Sequence, residues 1–267
     1  MTRAHIRFKR EKVALCNICR TIQPLTWDHV PPTGAKSITP VEQHSVLTKL
    51  TATGDPEQYD ISQNDVKYRT LCKKCNEMLG SRYDPALIKL TDAVGLCRKS
   101  ELTLPRVIPV KTQPIAVAKS ILGHFLAAKG HVDDVVMDQQ MRPCVLDENL
   151  PVPDNLHVFY WLYPYNYVVT LRDIVMPAIR GRFNELGFFS VLKFFPLGYL
   201  VCDLPKYEGL SELTLFRKLA TYENDTIDID LKSLKHPQWP ESTEGNNFMA
   251  GGMSIQSSVF AKERKKN

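Results

Sequence analysis

The chain has 267 residues, 43% of them hydrophobic and 24% charged, with a net charge of +5. This composition excludes a disordered or fibrous chain and admits one large globular domain or two modest ones. No apolar run is long enough to span a bilayer, and the basic, polar first ten residues lack the apolar core of a secretory signal, so a cytoplasmic protein is expected. The charge is unevenly spread. Residues 1–100 carry 16 Lys and Arg against 10 Asp and Glu, whereas residues 101–267 carry 18 against 19. The basic excess therefore lies in the N-terminal part, where a positive surface would attract a phosphate backbone.

In chain order, residues 1–15 hold Arg3, Arg7, Lys9, Arg10 and Lys12 and read as a polar terminus or a nucleic-acid arm. Cys16-Asn17-Ile18-Cys19 is a Cys-x-x-Cys knuckle. Thr21 to Val30 reads as a strand with Leu25 and Trp27 as apolar anchors, and it delivers Asp28 and His29 to its end. Pro31 to Ile61 reads as a long polar connection, with one or two helical turns over Ser45–Leu50. Asp65 to Leu71 reads as a second strand running into a second knuckle, Cys72-Lys73-Lys74-Cys75, with Asn76 directly after it. A helix from Lys73 to about Leu90 is expected to break at Gly80 or Asp84-Pro85.

Four cysteine thiolates suffice to close a tetrahedral site, and a closed sulfur site is the usual structural zinc. Nothing in it is open for catalysis, so chemistry must come from what the metal holds in place: Asp28, His29 and Asn76. Asp and Asn offer hard oxygens, which suit magnesium or manganese. A neutral His beside such an ion can take a proton from water, and that pair is a compact way to attack a phosphodiester. A redox dithiol is the other reading of Cys-x-x-Cys, but the strand-helix context is missing.

The run Cys16-x-x-Cys19, Asp28-His29-Val30-Pro31-Pro32, Cys72-x-x-Cys75-Asn76 resembles the HNH endonucleases that carry a zinc frame. The resemblance covers roughly the first third of the chain. It implies a ββα-metal fold, a β-hairpin followed by a helix, with structural Zn2+ on Cys16, Cys19, Cys72 and Cys75. It implies His29 as general base, and Asp28 and Asn76 as ligands of a catalytic Mg2+ or Mn2+. The implied activity is hydrolysis of phosphodiester bonds in DNA, with RNA left open, in the manner of phage defence or restriction proteins. Arg69, Lys73 and Arg82 are the expected phosphate contacts. Two positions depart from the pattern: Lys67 stands where many members have Asn, with Asn64 and Asp65 nearby, and Gly80 stands where others have a His ligand. The alternative is a non-catalytic, zinc-framed nucleic-acid-binding module.

Beyond residue 104 the pattern changes. Pro105–Pro114 reads as an extended link, followed by a helix from Pro114 to Gly130 with Ile115, Ala118, Leu122, Phe125 and Leu126 on one face. His124 there reads as a packed or surface residue. Residues 131–155 read as mixed and polar. Leu156–Tyr163 and Tyr167–Leu171 read as a hairpin, Phe188–Phe195 and Tyr199–Asp203 as another, and Ser211–Tyr222 as a short helix. The aromatic stripe Phe159, Trp161 and Tyr163 reads as core. Cys97, Cys144 and Cys202 read as reduced and structural. The expected class is α+β: an HNH domain over 1–104, a mixed helix and antiparallel-sheet domain over 105–240 that would bind a partner or set an oligomer, and a polar, flexible tail over 241–267.

Overall fold

The computed structural model describes residues 6, 8–46, 59–179, 182–205, 209–232, 235–241, 250–251 and 256–264. Among them the chain forms a mixed α+β fold. The first part holds β1 (Val13–Leu15), β2 (Ile22–His29), β3 (Val41–Ser45), β4 (Asp60–Ser62) and β5 (Lys67–Cys72), then helices α1 (Lys73–Arg82) and α2 (Asp84–Lys99). Next come β6 (Val107–Thr112), α3 (Pro114–Ala127) and α4 (Val136–Leu146). The remainder is β7 (His157–Leu162), β8 (Tyr167–Ile179), β9 (Arg182–Phe194), β10 (Leu197–Cys202), β11 (Ser211–Glu212), β12 (Asp225–Asp230), β13 (Ala250–Gly251) and β14 (Val259–Glu263).

The antiparallel strands β1-β2-β5 make a small sheet, and β5 runs straight into α1. A nine-stranded sheet has the order β11-β7-β10-β9-β8-β14-β3-β4, with β13 also on β8, and β6 pairs with β12. Every residue of β7 and β10 is buried, and their side chains alternate between two cores. Val158, Tyr160 and Leu162 point into the main core, while Phe159 and Trp161 point into a second one on the opposite face. The aromatic stripe is therefore packing.

Helix α3 is the axis of the main core. All fourteen of its residues are buried, as expected of a helix that is apolar nearly all round and packed on every side. Gly123 lets it approach α1: a Cβ there would lie 2.4 Å from Leu79 Cδ2. The main core is continuous from Cys16 and Leu79 through α3 to Val259 and Ala261, so apolar contact does not stop at residue 104.

Several expectations are corrected. The stretch 31–61 is not merely a connection, because Val41–Ser45 and Asp60–Ser62 are strands of the large sheet. Of the helical turns expected over Ser45–Leu50, residues 47–50 lie outside the described residues. The link at 105–114 is β6, paired along its length with β12. Within the expected tail, Val259–Glu263 is a strand hydrogen-bonded to β3 on one side and β8 on the other; its apolar Val259, Phe260 and Ala261 are buried there. Strands β7 and β8 are sequence neighbours but do not form a hairpin: β7 lies between β11 and β10, and β8 next to β9 and β14. Ser211–Tyr222 gives a two-residue strand and a short 3₁₀ turn at Thr214–Phe216 instead of a helix. The second hairpin, β9–β10, forms as expected. Among the described residues no helix is long and apolar enough to cross a membrane.

Candidate functional site

The two knuckles meet. One sulfur atom from each of Cys16, Cys19, Cys72 and Cys75 lies within 4.8 Å of the others. The Cys72 backbone N–H donates to Cys16 Sγ at 3.3 Å, and Cys19 Sγ lies 2.9 Å from Thr21 Oγ1. A hydrogen bond from Cys75 holds the Cys16 thiol down to about 4, and the same contact, with burial, pushes Cys75 well up. Four soft donors sharing protons at this spacing fit a tetrahedral metal ion such as zinc, which replaces those protons on binding.

The knuckles also grip the core helix. Asn17, inside the first knuckle, donates through Nδ2 to the carbonyls of Leu126 (2.7 Å) and Lys129 (2.9 Å). The first is a carbonyl of the last turn of α3, which the helix itself cannot satisfy, and the second lies just beyond the helix. Thr70 Oγ1 of β5 donates to Ala127 O at 2.6 Å, and Arg10 Nε donates to Gly130 O at 3.2 Å.

Strand β2 carries the expected catalytic pair, and its register is irregular. Thr26 faces Leu71 but Trp27 faces Arg69, so Thr70 is an extra residue on β5. The in-out alternation of β2 fails at the same place. Leu25 is buried, whereas Trp27, expected as a second apolar anchor, is 40% exposed and Asp28 turns inward to 6%. Asn76, on the first turn of α1, donates through Nδ2 to Trp27 O (2.9 Å) and Thr26 Oγ1 (3.1 Å). It thus fastens the helix to the strand one residue before Asp28, and its Oδ1 makes no hydrogen bond among the described residues.

Asp28 meets a partner from beyond residue 104. Its Oδ2 lies 3.4 Å from Nδ1 of His124 on α3, within ion-pair reach but without hydrogen-bond geometry. The other ring nitrogen of His124, Nε2, lies 3.0 Å from Asp84 Oδ1, which also accepts from Ser120 Oγ at 2.7 Å. Burial alone would lower the His124 pKa, but the Asp84 and Asp28 carboxylates outweigh it and raise it to about 10. A protonated imidazole therefore sits between two carboxylates. His29 Nε2, on the next residue of β2, is buried and has no hydrogen-bond partner among the described residues.

The other expected residues divide. Lys73 pairs with Glu77 (3.6 Å) and Arg82 with Glu148 (3.5 Å), so both already have a counter-charge. Arg69 has none among the described residues; its guanidinium donates to Arg10 O at 2.6 Å and lies over the Trp27 ring. Lys67, opposite His29 in the register, also lies over that ring. Asp65, with a left-handed φ of 55°, ion-pairs with Lys36, tying down the loop that follows Asp28-His29-Val30-Pro31-Pro32. Gly34, at φ 103°, seats that loop on Ile88 of α2.

Sequence reasoning missed Asp84, Ser120 and His124 as partners of this site, and Asn17 as a helix cap. One signal was available: three polar residues, Lys119, Ser120 and His124, inside an otherwise apolar helix must each find a buried partner. No family model, curated protein or solved structure matches the chain.

Proposed function

We propose that the chain is a metal-dependent endonuclease of the HNH type, built on a zinc-framed β-hairpin and helix. The observation that carries this reading is two buried polar atoms at the end of β2 that make no hydrogen bond among the described residues, one of them also within ion-pair reach of His124. Asp28 Oδ2 and His29 Nε2, on adjacent residues, are both buried and without a hydrogen bond among the described residues. A bound ion or water is one way in which such atoms are satisfied. Asn76, whose amide nitrogen is committed to the strand one residue before Asp28, keeps its amide oxygen free of hydrogen bonds among the described residues.

The donors fit the two metals implied. The four sulfurs suit zinc, and the Asp28 and Asn76 oxygens suit Mg2+ or Mn2+. Bound there, the hard cation would stabilise the charge that develops on the phosphate and leaving oxygens. His29 takes the proton from the attacking water. Lys67 and Arg69 supply positive charge for the phosphate backbone, and His124 orients the Asp28 carboxylate. DNA is the proposed substrate.

One observation favours a second reading, a zinc-framed binding module without turnover. The charge on His124 already compensates Asp28 and would compete with a cation for it. Cleavage of supercoiled plasmid in magnesium or manganese, wild type against His29→Ala, separates the two. The nuclease reading expects His29→Ala to lose about 100-fold or more of the rate with folding intact. Equal cleavage by both proteins would sink it. Plasmid binding without cleavage by either would favour the module.

A further inference from the structure

The outward face of the β2–β5 pair carries an aromatic ring that packing does not explain. Of the chain's three tryptophans, Trp161 is buried in the second core and Trp239 packs edge-on against it at 5.0 Å. Trp27 is on the surface, 40% exposed. The Lys67 Nζ lies 5.2 Å and the Arg69 Cζ 5.5 Å from its ring centroid. Both cations come from the neighbouring strand and lie over the ring, so the ring rests along that strand and the remainder of it faces solvent.

The register explains why these groups share a face. Trp27 pairs with Arg69, His29 with Lys67, and the exposed Lys9 bridges to Arg69 from the far side of β5. Residues paired across a ladder point the same way. Lys9, Arg69, Trp27 and Lys67 therefore form one row, with the half-buried His29 at its end. Among the described residues, neither Lys67 nor Arg69 has a carboxylate partner, unlike Lys73 and Arg82 on α1. An exposed indole set among unneutralised cations matches a ligand with alternating flat, apolar faces and negative charges.

We propose that Trp27 is a stacking platform for an unpaired base of a single-stranded polynucleotide, with Lys67, Arg69 and Lys9 holding the flanking phosphates. The choice of polynucleotide rests on the nuclease reading of the adjacent His29. The choice of single strand rests on geometry. In a duplex both faces of every base are covered by its neighbours, so a ring lying along a sheet meets a base face only where the strand is unpaired. Stacking of this kind is tolerant of sequence, because every base has a flat face.

The test is binding of a labelled single strand of about 12 thymidines, compared with a duplex of the same length, without added magnesium or manganese. Trp27→Ala is expected to weaken single-strand binding about 10-fold and leave duplex binding unchanged. Trp27→Phe is expected to restore most of the loss, which controls for folding. Lys67→Gln is expected to lower the slope of log affinity against log salt by roughly 0.7. Unchanged single-strand binding in Trp27→Ala would overturn the proposal, as would no binding by the wild type. So would equal competition by an acidic peptide of matched charge, which would make the row a protein-docking face. The two readings fail separately. Trp27-dependent binding with no plasmid cleavage keeps the platform and removes the nuclease; His29-dependent cleavage with Trp27-independent binding does the reverse.

Discussion

Two fastenings hold distant parts of this chain together, and they are made of opposite materials. The cysteine cluster brings residues 16–19 to residues 72–75 with four thiols, linked by weak hydrogen bonds, that could hold a metal ion in place of their protons. The second fastening lies under the large sheet and is made of the chain's own charges. Arg172, fully buried, donates to Asp138 Oδ1 at 2.7 Å and to Phe125 O at 2.6 Å. Asp138 also pairs with Lys129, Lys129 with Asp134 at 3.0 Å, and Asp134 with Arg142 at 2.8 Å. Arg142 Nε then donates to Asn17 O inside the first knuckle, at 3.0 Å. The contrast teaches where control can enter. The sulfur end could take an ion from outside, whereas the ionic end uses only groups that the chain supplies.

Removing the metal should give the largest effect. Metal analysis is expected to find about one zinc per chain, lost in Cys72→Ser. Structural zinc binding in isolated fingers is worth on the order of 10 kcal/mol, so the melting temperature should fall steeply with a strong chelator. Because Cys16, Cys72 and Cys75 share one core with α3, the loss should also be felt at α3. Zinc-free protein with an unchanged melt would show that the thiols hold no metal.

Breaking the ionic end comes next. Asp138→Asn removes the counter-charge that Arg172 and Lys129 share, leaving Arg172 with Asp173 at 3.3 Å and Lys129 with Asp134 at 3.0 Å, and the loss is expected to reach at most about 3–5 kcal/mol. Urea unfolding should show that loss equally with and without chelator; a loss below about 1 kcal/mol would mean that water or a neighbour compensates the charges. The same carboxylate sets a pH dependence. Burial pushes its pKa up, but Arg172 and Lys129 outweigh this and hold it below the ordinary Asp range. A depressed native pKa stabilises the fold above the unfolded value, so the contribution is complete above about pH 4. It is lost as the pH falls through the native value. Acid unfolding of Asp138→Asn should therefore be shallower than that of the wild type.

Gly123→Ala probes the seam between the two ends. The added methyl meets Leu79 of α1, and overpacking of this kind costs about 1–3 kcal/mol. In a Leu79→Ala background the methyl has room, so the cost should shrink. Additive losses in the double variant would mean that the contact is not the cause.

The two ends also differ in how legible they were. The cysteine cluster could be read because a metal site needs fixed residue types at fixed short spacings, and the local sequence contains them. The ionic network could not, because Arg172, Asp138 and Lys129 are ordinary charged residues whose meeting depends on how α3, α4 and β8 stack. The same limit hid the role of His124, which reaches Asp28 across 96 positions only once α3 lies under β2. Strands β9 and β10 were read as a hairpin because a short turn joins them. The pairing of β14 with β3 joins residues more than two hundred positions apart, and nothing local announces it. Trp27 was misread for a different reason. Period-two alternation assigns it to the face of Leu25, and that alternation fails where the register shifts between Thr26 and Trp27.

The smallest expected effect sharpens the contrast most, because it lies directly beside the sulfur cluster. Lys73 follows Cys72 and pairs with Glu77 at 3.6 Å, both side chains being mostly exposed. Exposed pairs at this spacing contribute about 0.3–0.5 kcal/mol, and less with the Lys on the N-terminal side. Lys73 also sits in the first turn of α1, where the helix dipole disfavours a cation. These terms oppose one another, so Lys73→Ala should change stability by less than about 0.5 kcal/mol and leave zinc content unchanged. A fall in zinc content would mean that charge around the thiolates helps to hold the ion. The sulfur end would then rely on its neighbours' charges as the Arg172 network does, and the two fastenings would differ in degree instead of kind.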